Sequence, residues 1–461
     1  MIPYTTEAVK LLMEGAKALA KVEGDGIRMD VSYLDRTIKE TGQKIQGMEA
    51  QLKKSEIAKE WKKTFGAKMN FGSSTQLGKL LFEVLKYRSS DFTASGRYKT
   101  DEAALRSVDI PFVRDYLEIK KLQKIQTTYL QGIQREIVGG YLHPFFNLHT
   151  TRTFRSSSDS PNFQNLPVRN PELGRMVRSA FIPRPNGHLV EMDYSGIEVC
   201  IAACYHKDPR MIEYISDPTK DLHRDMAMEC FALPKSEMNN PVDEEDKKRI
   251  KRIRYCGKNM FVFPQFYGDW YKDCAVSLWQ AAEQLQLKLR DGTPMRKHLA
   301  TKGIKSLSDF EEHLRKVENF FWNKRFPTYT KWKKDWLRAY QKNGYLITKT
   351  GFVCQGQMRR NEIINYPVQG SAFHCLLQSL IWFVRHDLKK RKMQAKIVGQ
   401  IHDSIVADVP HEEMAEFVPM AKEIMTERLP ERWKWINIPL TIEIEASPIN
   451  GSWAEKKGIK E

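Results

Sequence analysis

The sequence predicts a mixed α+β fold in which an antiparallel sheet is flanked by separate helical lobes. The chain has 461 residues, which is more than one hydrophobic core usually serves, so two or three subdomains around a shared cleft are expected. Apolar runs typical of strands lie within 187–203 and 396–410. By contrast, 5–60 and 221–343 are strongly charged and helical in character.

The balance of charge favours a densely anionic partner. Lys and Arg together number 74 against 57 Asp and Glu, which gives a net charge of +17 and a pI near 9.3. A nucleic-acid backbone suits this excess. Charge alone leaves other classes open, because ribosome-associated and membrane-surface proteins share the same balance.

Cysteine usage and the N-terminus predict a soluble cytoplasmic protein. The seven cysteines contain no CxxC pair and no Cys/His cluster at zinc spacing, so neither a disulfide framework nor a structural zinc site is supported. The first 26 residues are amphipathic and carry charge throughout, without the apolar run of a signal peptide or a membrane span.

The first half of the chain is predicted to contain a helical arm followed by a strand. Residues 34–59 keep apolar side chains at helical spacing, as expected for an extended helical subdomain. From 187 to 203 the pattern changes from a strand to a helix, which places Asp193 near the end of the strand. Functional carboxylates often lie at such positions.

The second half is predicted to contain a helical lobe and a β-hairpin. The helical pattern of 221–343 is interrupted at DGTP (291–294) and at 326–327, where Pro and Gly favour breaks. Residues 396–410 form two alternating apolar runs around an acidic turn that contains Asp403.

Asp193 and Asp403 are candidates for a shared cation site. Each is flanked by residues that bury well, although a single aspartate of this kind is usually a cap or turn residue. Two such carboxylates brought together repel each other unless divalent cations compensate their charge. Mg²⁺ binds a few carboxylates together with substrate phosphate oxygens, and a pair of ions can stabilise an in-line phosphoryl transfer.

Seven short motifs follow one another along the chain. They are TRTFRSSSDSPNFQNLPVR (151–169), DYSGIE (193–198), DLHRDMA (221–227), RYCGKNMFVFPQFYG (254–268), GYLITKTGF (344–352), NYPVQGSA (365–372) and IHDS (401–404). Together they resemble DNA polymerase family A, the bacterial DNA polymerase I type, in which 151–169 is similar to the template-primer segment, 193–198 to motif A, 254–268 to motif B and 401–404 to motif C. Any one short motif could arise by chance, whereas seven in the family's order hardly could.

The resemblance implies a role for each matching residue. Asp193 and Asp403 would hold two Mg²⁺ ions, with the backbone carbonyl of Tyr194 as a third ligand. Lys258 would share in catalysis. The residues that would bind an incoming deoxynucleoside triphosphate are Arg254, Lys258, His223, Phe263, Tyr267 and Glu198. Those that would contact primer and template DNA are Arg155, Asn162, Gln164, Asn165, Arg169, Asn365, Gln369 and His402.

Without the flanking motifs, plainer interpretations of these residues would be preferred. Arg254 and Lys258 would form a solvated basic helix face, and Phe263 and Tyr267 would be ordinary core aromatics. Glu198 would be a surface glutamate in the first turns of a helix. The resemblance instead implies that Glu198 and Tyr267 pair to close the space that a ribose 2′-hydroxyl would need.

The implied fold is a right hand, with a palm of antiparallel sheet flanked by helices, helical fingers and a helical thumb. The expected division is a thumb with an N-terminal palm-base segment at 1–140, the first part of the palm at 141–210, fingers at 211–364, and the second part of the palm with the catalytic hairpin at 365–461. The expected partners are primer-template DNA and deoxynucleoside triphosphates, and we expect a monomer without a membrane partner.

One departure from the family pattern predicts a local distortion. Lys258 and Tyr267 are nine residues apart, one more than usual in the family, and about nine steps of 100° would place them on opposite sides of a regular helix. A π-bulge or kink near Pro264 would absorb the extra residue. Three further positions differ in residue type, namely Ser404 for the usual glutamate, Asn361 for an arginine and Gly196 for a glutamine.

Two rival functions remain open at this point. A single-subunit phage-type RNA polymerase often has HDS in motif C, as here at 402–404, although Glu198 and the 151–169 segment favour DNA synthesis. A catalytically inactive nucleic-acid-binding scaffold is the other. No segment with the acidic constellation of a proofreading exonuclease is recognisable, so we expect no such activity unless another chain or a replisome protein supplies it. The compact form suggests a phage or mobile element, whose polymerase would act in the host cytoplasm.

Overall fold

The computed structural model describes residues 2–88, 92–93, 95–167 and 171–459. Helices and an antiparallel sheet segregate, so the predicted α+β class is confirmed. The strands are β1 (Ile27–Arg28), β2 (Ile137–Val138), β3 (Tyr141–Leu142), β4 (Phe145–Asn147), β5 (Ser157–Asp159), β6 (Gly187–Tyr194), β7 (Tyr345–Ile347), β8 (Val353–Gln355), β9 (Lys396–Ile401), β10 (Ser404–Pro410), β11 (Ile442–Ala446) and β12 (Lys457–Gly458).

The helices account for most of the described chain. They are α1 (Thr6–Asp25), α2 (Val31–Lys54), α3 (Glu56–Phe65), α4 (Ser74–Gly78), α5 (Glu102–Arg106), α6 (Pro111–Lys124), α7 (Gln131–Arg135), α8 (Pro171–Arg178), α9 (Ile197–His206), α10 (Pro209–Ser216), α11 (Leu222–Cys230), α12 (Glu244–Gly257), α13 (Phe263–Tyr267), α14 (Tyr271–Gln284), α15 (Met295–Thr301), α16 (Leu307–Phe320), α17 (Pro327–Asn343), α18 (Arg360–Trp382), α19 (Leu388–Lys390), α20 (Met414–Lys422) and α21 (Arg428–Arg432).

Several of these helices contain or adjoin a wider or a tighter turn. The π-helical segments are Lys79–Val84, Ile125–Leu130, Lys258–Val262, Phe321–Arg325, Phe383–Asp387 and Glu423–Glu427. The 3₁₀ segments are Gly66–Lys68, Phe163–Asn165, Lys235–Glu237, His411–Glu413 and Trp453–Glu455.

The central sheet has the strand order β12–β11–β6–β10–β9, with every neighbouring pair antiparallel. Strands β6, β9 and β10 are buried along almost their whole length, because α1 packs on β9 while α18 and α20 pack on β10. Helix α18 is apolar around most of its circumference, as expected for a helix enclosed by other elements. The predicted hairpin is confirmed as β9, a turn and β10.

Two helical lobes flank the sheet. In the N-terminal lobe α2 packs on α3 and α6, and Trp61 is fully buried there. In the second lobe α11 packs on α12, and α14 packs on α16. The predicted breaks of this lobe are confirmed, since α14 ends before the DGTP segment and α17 begins at Pro327, a favoured first helical position for proline.

The search for transmembrane segments gave a negative result. Among the described residues, no helix combines the length and the apolar character that a bilayer crossing requires.

Gly399 in β9 is required for packing between the hairpin and the 151–169 segment. A Cβ at this position would lie 2.5 Å from Cε1 of Phe163, a fully buried ring that stacks on Trp453 with centroids 5.6 Å apart. Phe163 thus packs directly on the strand that leads to Asp403.

We expect Gly399→Ala to lower the free energy of unfolding by about 1–3 kcal/mol, because the overpacked ring must shift. Urea denaturation measures this change. Phe163→Leu in the same background should recover part of the loss. Gly458→Ala is the matched control, since a Cβ at that position would meet no heavy atom within 4 Å. If the urea midpoint of Gly399→Ala equalled that of Gly458→Ala, the proposed contact between Gly399 and Phe163 would not limit the residue at position 399.

Candidate active site

Strand pairing brings Asp193 and Asp403 together. Asp193 is the penultimate residue of β6, and its register partner on β10 is Ser404, which directly follows Asp403. The N–H of Tyr194 donates to the carbonyl oxygen of Asp403 over 3.2 Å. His402, in the turn, adopts a left-handed φ of 50°. The two carboxylates that the sequence singled out therefore lie at one edge of the sheet.

The surroundings of Asp193 and Asp403 disfavour the ionised form of both carboxylates. Burial, with Asp403, Glu191 and Glu443 as further causes, raises the pKa of Asp193 to about 7. Burial also raises the pKa of Asp403, although His402 counteracts part of the effect. A divalent cation would relieve this repulsion.

The donor set fits a hard cation that retains other ligands. Within the described ranges, no group of three or more His, Cys, Asp or Glu side chains is arranged to hold a metal ion. Two carboxylates with free positions for water and phosphate oxygens nevertheless match the usual protein environment of Mg²⁺. Ser404, at the position of the family's usual glutamate, is buried, and its hydroxyl donates to the carbonyl oxygen of Ile401 over 3.1 Å.

Glu191 and Glu443 are acidic neighbours that the sequence analysis missed. Glu443 is the register partner of Asp193 on β11, and Glu191 precedes Asp193 by two residues on the same strand. Lys456 and the indole N–H of Trp453 (2.8 Å) both donate to the carboxylate of Glu191. The period of two in β6 could have identified Glu191, because residues i and i+2 share a face.

The fingers helix, which we define as 244–267, contains the predicted distortion. Helix α12 passes into a π-helical segment at Lys258–Val262, and α13 then continues to Tyr267. The wider turn absorbs the extra residue between Lys258 and Tyr267. The distortion was expected near Pro264, and it lies immediately before α13, in which Pro264 is the second residue.

The basic residues of the fingers helix adjoin His223. Nε of Arg254 donates to Oδ2 of Asp221 over 2.5 Å, and Asp221 also caps α11 through the N–H of Arg224. Nζ of Lys258 lies 5.2 Å from the centroid of the Phe263 ring. Burial and then Arg254 lower the pKa of His223 to about 4, so this histidine is neutral at pH 7. Its buried Nδ1 has no hydrogen-bond partner within the described part of the chain.

Glu198 and Tyr267 are in direct contact across the cleft. The Tyr267 hydroxyl donates to Oε2 of Glu198 over 2.8 Å. The guanidinium of Arg155 forms an ion pair with the other oxygen, Oε1. Tyr267 ends the fingers helix at Gly268, whose φ of 92° ends the helix in a left-handed conformation. The amide of Asn365 donates to the Tyr267 carbonyl oxygen over 3.5 Å.

A cavity of about 320 Å³ lies between α9, α13, α18 and the turn that joins β9 to β10. Of the residues selected from the sequence, it is lined by Arg155, Glu198, Phe263, Tyr267, Asn365, Gln369, His402 and Asp403. Other selected residues are not in its wall, namely Asp193, His223, Arg254, Lys258, Asn162, Gln164 and Asn165.

The 151–169 segment is joined to the catalytic hairpin through Gln400. Nε2 of Gln164 donates to Oε1 of Gln400 over 2.6 Å, and Nε2 of Gln400 donates to the carbonyl oxygen of His402 over 2.8 Å. Asn162 and Asn165 are exposed. Arg169, which was expected to contact DNA, lies outside the described residues.

The deep wall of the cavity contains residues that the sequence did not reveal. His206 stacks on Tyr329 with centroids 4.0 Å apart, and its Nδ1 accepts from the N–H of Asp208 over 2.9 Å. Burial lowers the pKa of His206 to about 3. Phe266 also lines this wall. No local pattern pairs residues 206 and 329, which come from α9 and α17.

Comparison with known proteins agrees with this geometry. The model of DNA polymerase family A matches residues 39–257 and 306–455. The chain therefore belongs to DNA polymerase family A.

Individual relatives are distant in sequence but match over most of this chain. DNA polymerase I of Lactococcus lactis subsp. cremoris is 27% identical over 457 residues, covering 96% of this chain and 45% of the relative. The thermostable DNA polymerase I of Thermus thermophilus is 26% identical, and the match covers 96% of this chain and 47% of the relative. The DNA polymerase of Bacillus phage SP01 is 28% identical, covering 82% and 40%. The chain thus spans about half the length of the curated relatives it matches.

A solved structure confirms the right-hand fold. The POL domain of Pol1 from M. smegmatis, in complex with DNA primer-template and dNTP, matches with a TM-score of 0.72 and 25% identity. The match covers 96% of this chain and 70% of that chain.

The raised pKa of Asp193 predicts a pH-dependent stability. The folded protein holds a proton at Asp193 up to about pH 7, whereas an unfolded aspartate titrates near 4. This contribution to stability is complete below about pH 4 and is lost as the pH rises through 7. Without divalent cations, the free energy of unfolding of Asp193→Asn should therefore exceed that of the wild type at pH 8 by about 1–2 kcal/mol, allowing for solvent screening. Near pH 4 the two free energies should be equal.

Urea denaturation in EDTA at the two pH values measures this difference. Mg²⁺ added at pH 8 should narrow it by stabilising the wild type. Asp335→Asn, at an exposed aspartate of α17, is the matched control for the loss of one carboxylate and should not reproduce the gain of Asp193→Asn at pH 8. The proposed electrostatics would be wrong if Asp193→Asn gave no gain at pH 8.

Proposed function

We propose that this protein is a template-directed DNA polymerase that adds deoxynucleoside triphosphates to a primer 3′ end by two-metal-ion phosphoryl transfer. The observation that carries the proposal is the pairing of β6 with β10, which sets Asp193 beside Asp403 opposite the fingers helix. Family membership supports the same reaction class.

In this proposal Asp193 and Asp403 hold two Mg²⁺ ions, with the Tyr194 carbonyl as a further ligand. When bound, the ions activate the primer 3′-oxygen and stabilise the charge that develops on the phosphates. The remaining contribution of the protein is positioning and charge stabilisation. Arg254 and Lys258 bind the triphosphate, and the neutral imidazole of His223 donates a hydrogen bond to it.

Phe263 and Tyr267 stack beside the nascent base pair, which suits a site that must accept every base. Both residues line the cavity, which supports their assignment to that pair.

Primer and template are contacted from the palm. Asn365, Gln369 and His402 line the cavity. In this proposal all three contact DNA, and Asn365 and Gln369 meet the minor groove of the primer terminus. Minor-groove acceptors are shared by all correct base pairs, so contacts there test pair geometry without reading sequence. The 151–169 segment contacts the primer and the template through Arg155, Asn162, Gln164, Asn165 and Arg169. The similar M. smegmatis POL domain is in complex with DNA primer-template and dNTP, which supports DNA and deoxynucleoside triphosphates as substrates.

A primer-extension assay with Mg²⁺ tests the proposal. Extension with deoxynucleotides and weak extension with ribonucleotides is the expected result. A preference for ribonucleotides would favour the phage-type RNA polymerase alternative, and DNA binding without extension would favour the inactive scaffold. A mismatched primer incubated without nucleotides should keep its length, because we propose no proofreading exonuclease in this chain.

Asp403→Asn should reduce nucleotide addition by at least about a hundredfold, since a neutral amide cannot compensate the metal charge. DNA affinity and melting temperature should change little. Single-turnover extension and a DNA-binding titration measure the two effects. Asp335→Asn again serves as the control and should extend normally. Near-normal extension by Asp403→Asn would exclude it as a metal ligand.

Glu198→Ala should raise ribonucleotide incorporation relative to deoxyribonucleotide by about tenfold or more, or roughly 1.4 kcal/mol. Its carboxylate and Tyr267 together exclude the 2′-hydroxyl in this proposal. Deoxynucleotide addition should also slow, because Tyr267 loses its hydrogen bond. Competitive single-nucleotide insertion measures the ratio. Glu283→Ala, which removes an exposed glutamate that pairs with Arg296, should leave it unchanged. An unchanged ratio in Glu198→Ala would mean that another group excludes ribose.

A further inference from the structure

Both carboxylate oxygens of Glu198 are engaged by protein groups. The Tyr267 hydroxyl donates to Oε2 over 2.8 Å, and the guanidinium of Arg155 pairs with Oε1. The two partners approach from different parts of the molecule, since Tyr267 ends the fingers helix while Arg155 lies in the loop between β4 and β5. All three side chains line the same cavity.

Arg155 is held in this position by its own loop and by the catalytic hairpin. The hydroxyl of Thr151 donates to the carbonyl oxygen of Arg155 over 2.6 Å. The next residue, Ser156, is buried and donates to Oε1 of Gln400 over 2.6 Å. The carbonyl group of Arg155 and the residue that follows it are thus held in place, and the Arg155 side chain is only 35% exposed.

A ribose differs from a deoxyribose by one hydroxyl that can donate a hydrogen bond. A carboxylate is an acceptor with two oxygens, and a free oxygen near the sugar would bind that hydroxyl rather than repel it. With Arg155 on Oε1 and Tyr267 on Oε2, each oxygen uses one of its two lone pairs for a protein partner. The carboxylate is thereby held in one orientation, so Glu198 keeps its bulk and charge at the sugar and cannot turn to accept a 2′-hydroxyl. A buried hydroxyl without a partner is then disfavoured.

We propose that Arg155 is a specificity-determining positioning residue, which acts through Glu198 by occupying the oxygen that would otherwise accept the 2′-hydroxyl of a ribonucleotide. The inference rests on the proposed function, in which Glu198 faces the sugar of the incoming nucleotide. This role is additional to the primer contact assigned to Arg155. Loss of the primer contact alone would slow the insertion of deoxyribonucleotides and ribonucleotides equally.

The test is single-nucleotide insertion of dATP and ATP opposite template dT, measured as kcat/KM for each. Arg155→Met keeps the apolar stem of the side chain and removes the charge. It should lower the dATP-to-ATP ratio at least tenfold, beyond any common slowing. Arg155→Lys should stay within about threefold of the wild-type ratio, because an ammonium group can also donate to Oε1. If Arg155→Met does not fold, Arg155→Leu, which also lacks a hydrogen-bond donor, replaces it with the same expectation.

Two controls separate this role from others. Arg152→Ala removes an exposed arginine three residues earlier in the same loop, which bonds the Gln357 carbonyl oxygen and not Glu198, and it should leave the ratio unchanged. In a Glu198→Ala background, Arg155→Met should produce no further change in the ratio, since its effect requires the carboxylate.

Each outcome either supports or contradicts the positioning role of Arg155. If Arg155→Met slows both nucleotides equally, or still lowers the ratio when Glu198 is alanine, the inference is overturned while the proposed function stands. If the wild type adds no nucleotide, the proposed function fails, and the inference fails with it. A fall in the ratio that depends on Glu198 and is prevented by Arg155→Lys supports the positioning role.

Discussion

The pairing of β6 with β10 fixes two mutually repelling carboxylates at one edge of a sheet. The ladder extends over seven register pairs, from Asp193 opposite Ser404 to Gly187 opposite Pro410. Its backbone hydrogen bonds and buried apolar side chains outweigh a local repulsion of a few kcal/mol. The geometry is therefore set by the scaffold and not by the charged groups themselves. Lys456 lessens the cost by binding Glu191 on the same strand.

A second constraint acts on the fingers helix, which presents Phe263 and Tyr267 to the cavity while Lys258 lies outside the cavity wall. One extra residue would rotate Tyr267 relative to Lys258 in a regular helix, and the π-helical turn at Lys258–Val262 accommodates that residue. The end of the helix is anchored by Gln265, which is 2% exposed. Its amide accepts from Trp322 over 2.7 Å and donates to Glu318 over 2.8 Å. This anchoring fixes the orientation of the residues that line the cavity.

Glu198 connects these two parts of the molecule. It lies in the first turn of α9, directly after the strand that carries Asp193, and it contacts both Arg155 and Tyr267. A charged group in a partly buried cleft is stable when it is paired and hydrogen-bonded, and here both oxygens are. The same contacts that stabilise the carboxylate determine which of its atoms remain available to a ligand.

Local patterns in the sequence determined the hairpin around Asp403 and the break at Pro327, because each depends on neighbouring residues and on a helical or strand period. The distortion between Lys258 and Tyr267 was predicted from the spacing of the family motif together with the helical period. The order of the motifs determined the family and the right-hand fold. Only the tertiary structure decided which distant side chains meet, such as His206 with Tyr329 or Arg155 with Glu198. Those contacts depend on sheet register and on packing between lobes, which the periodicity of a single segment does not specify.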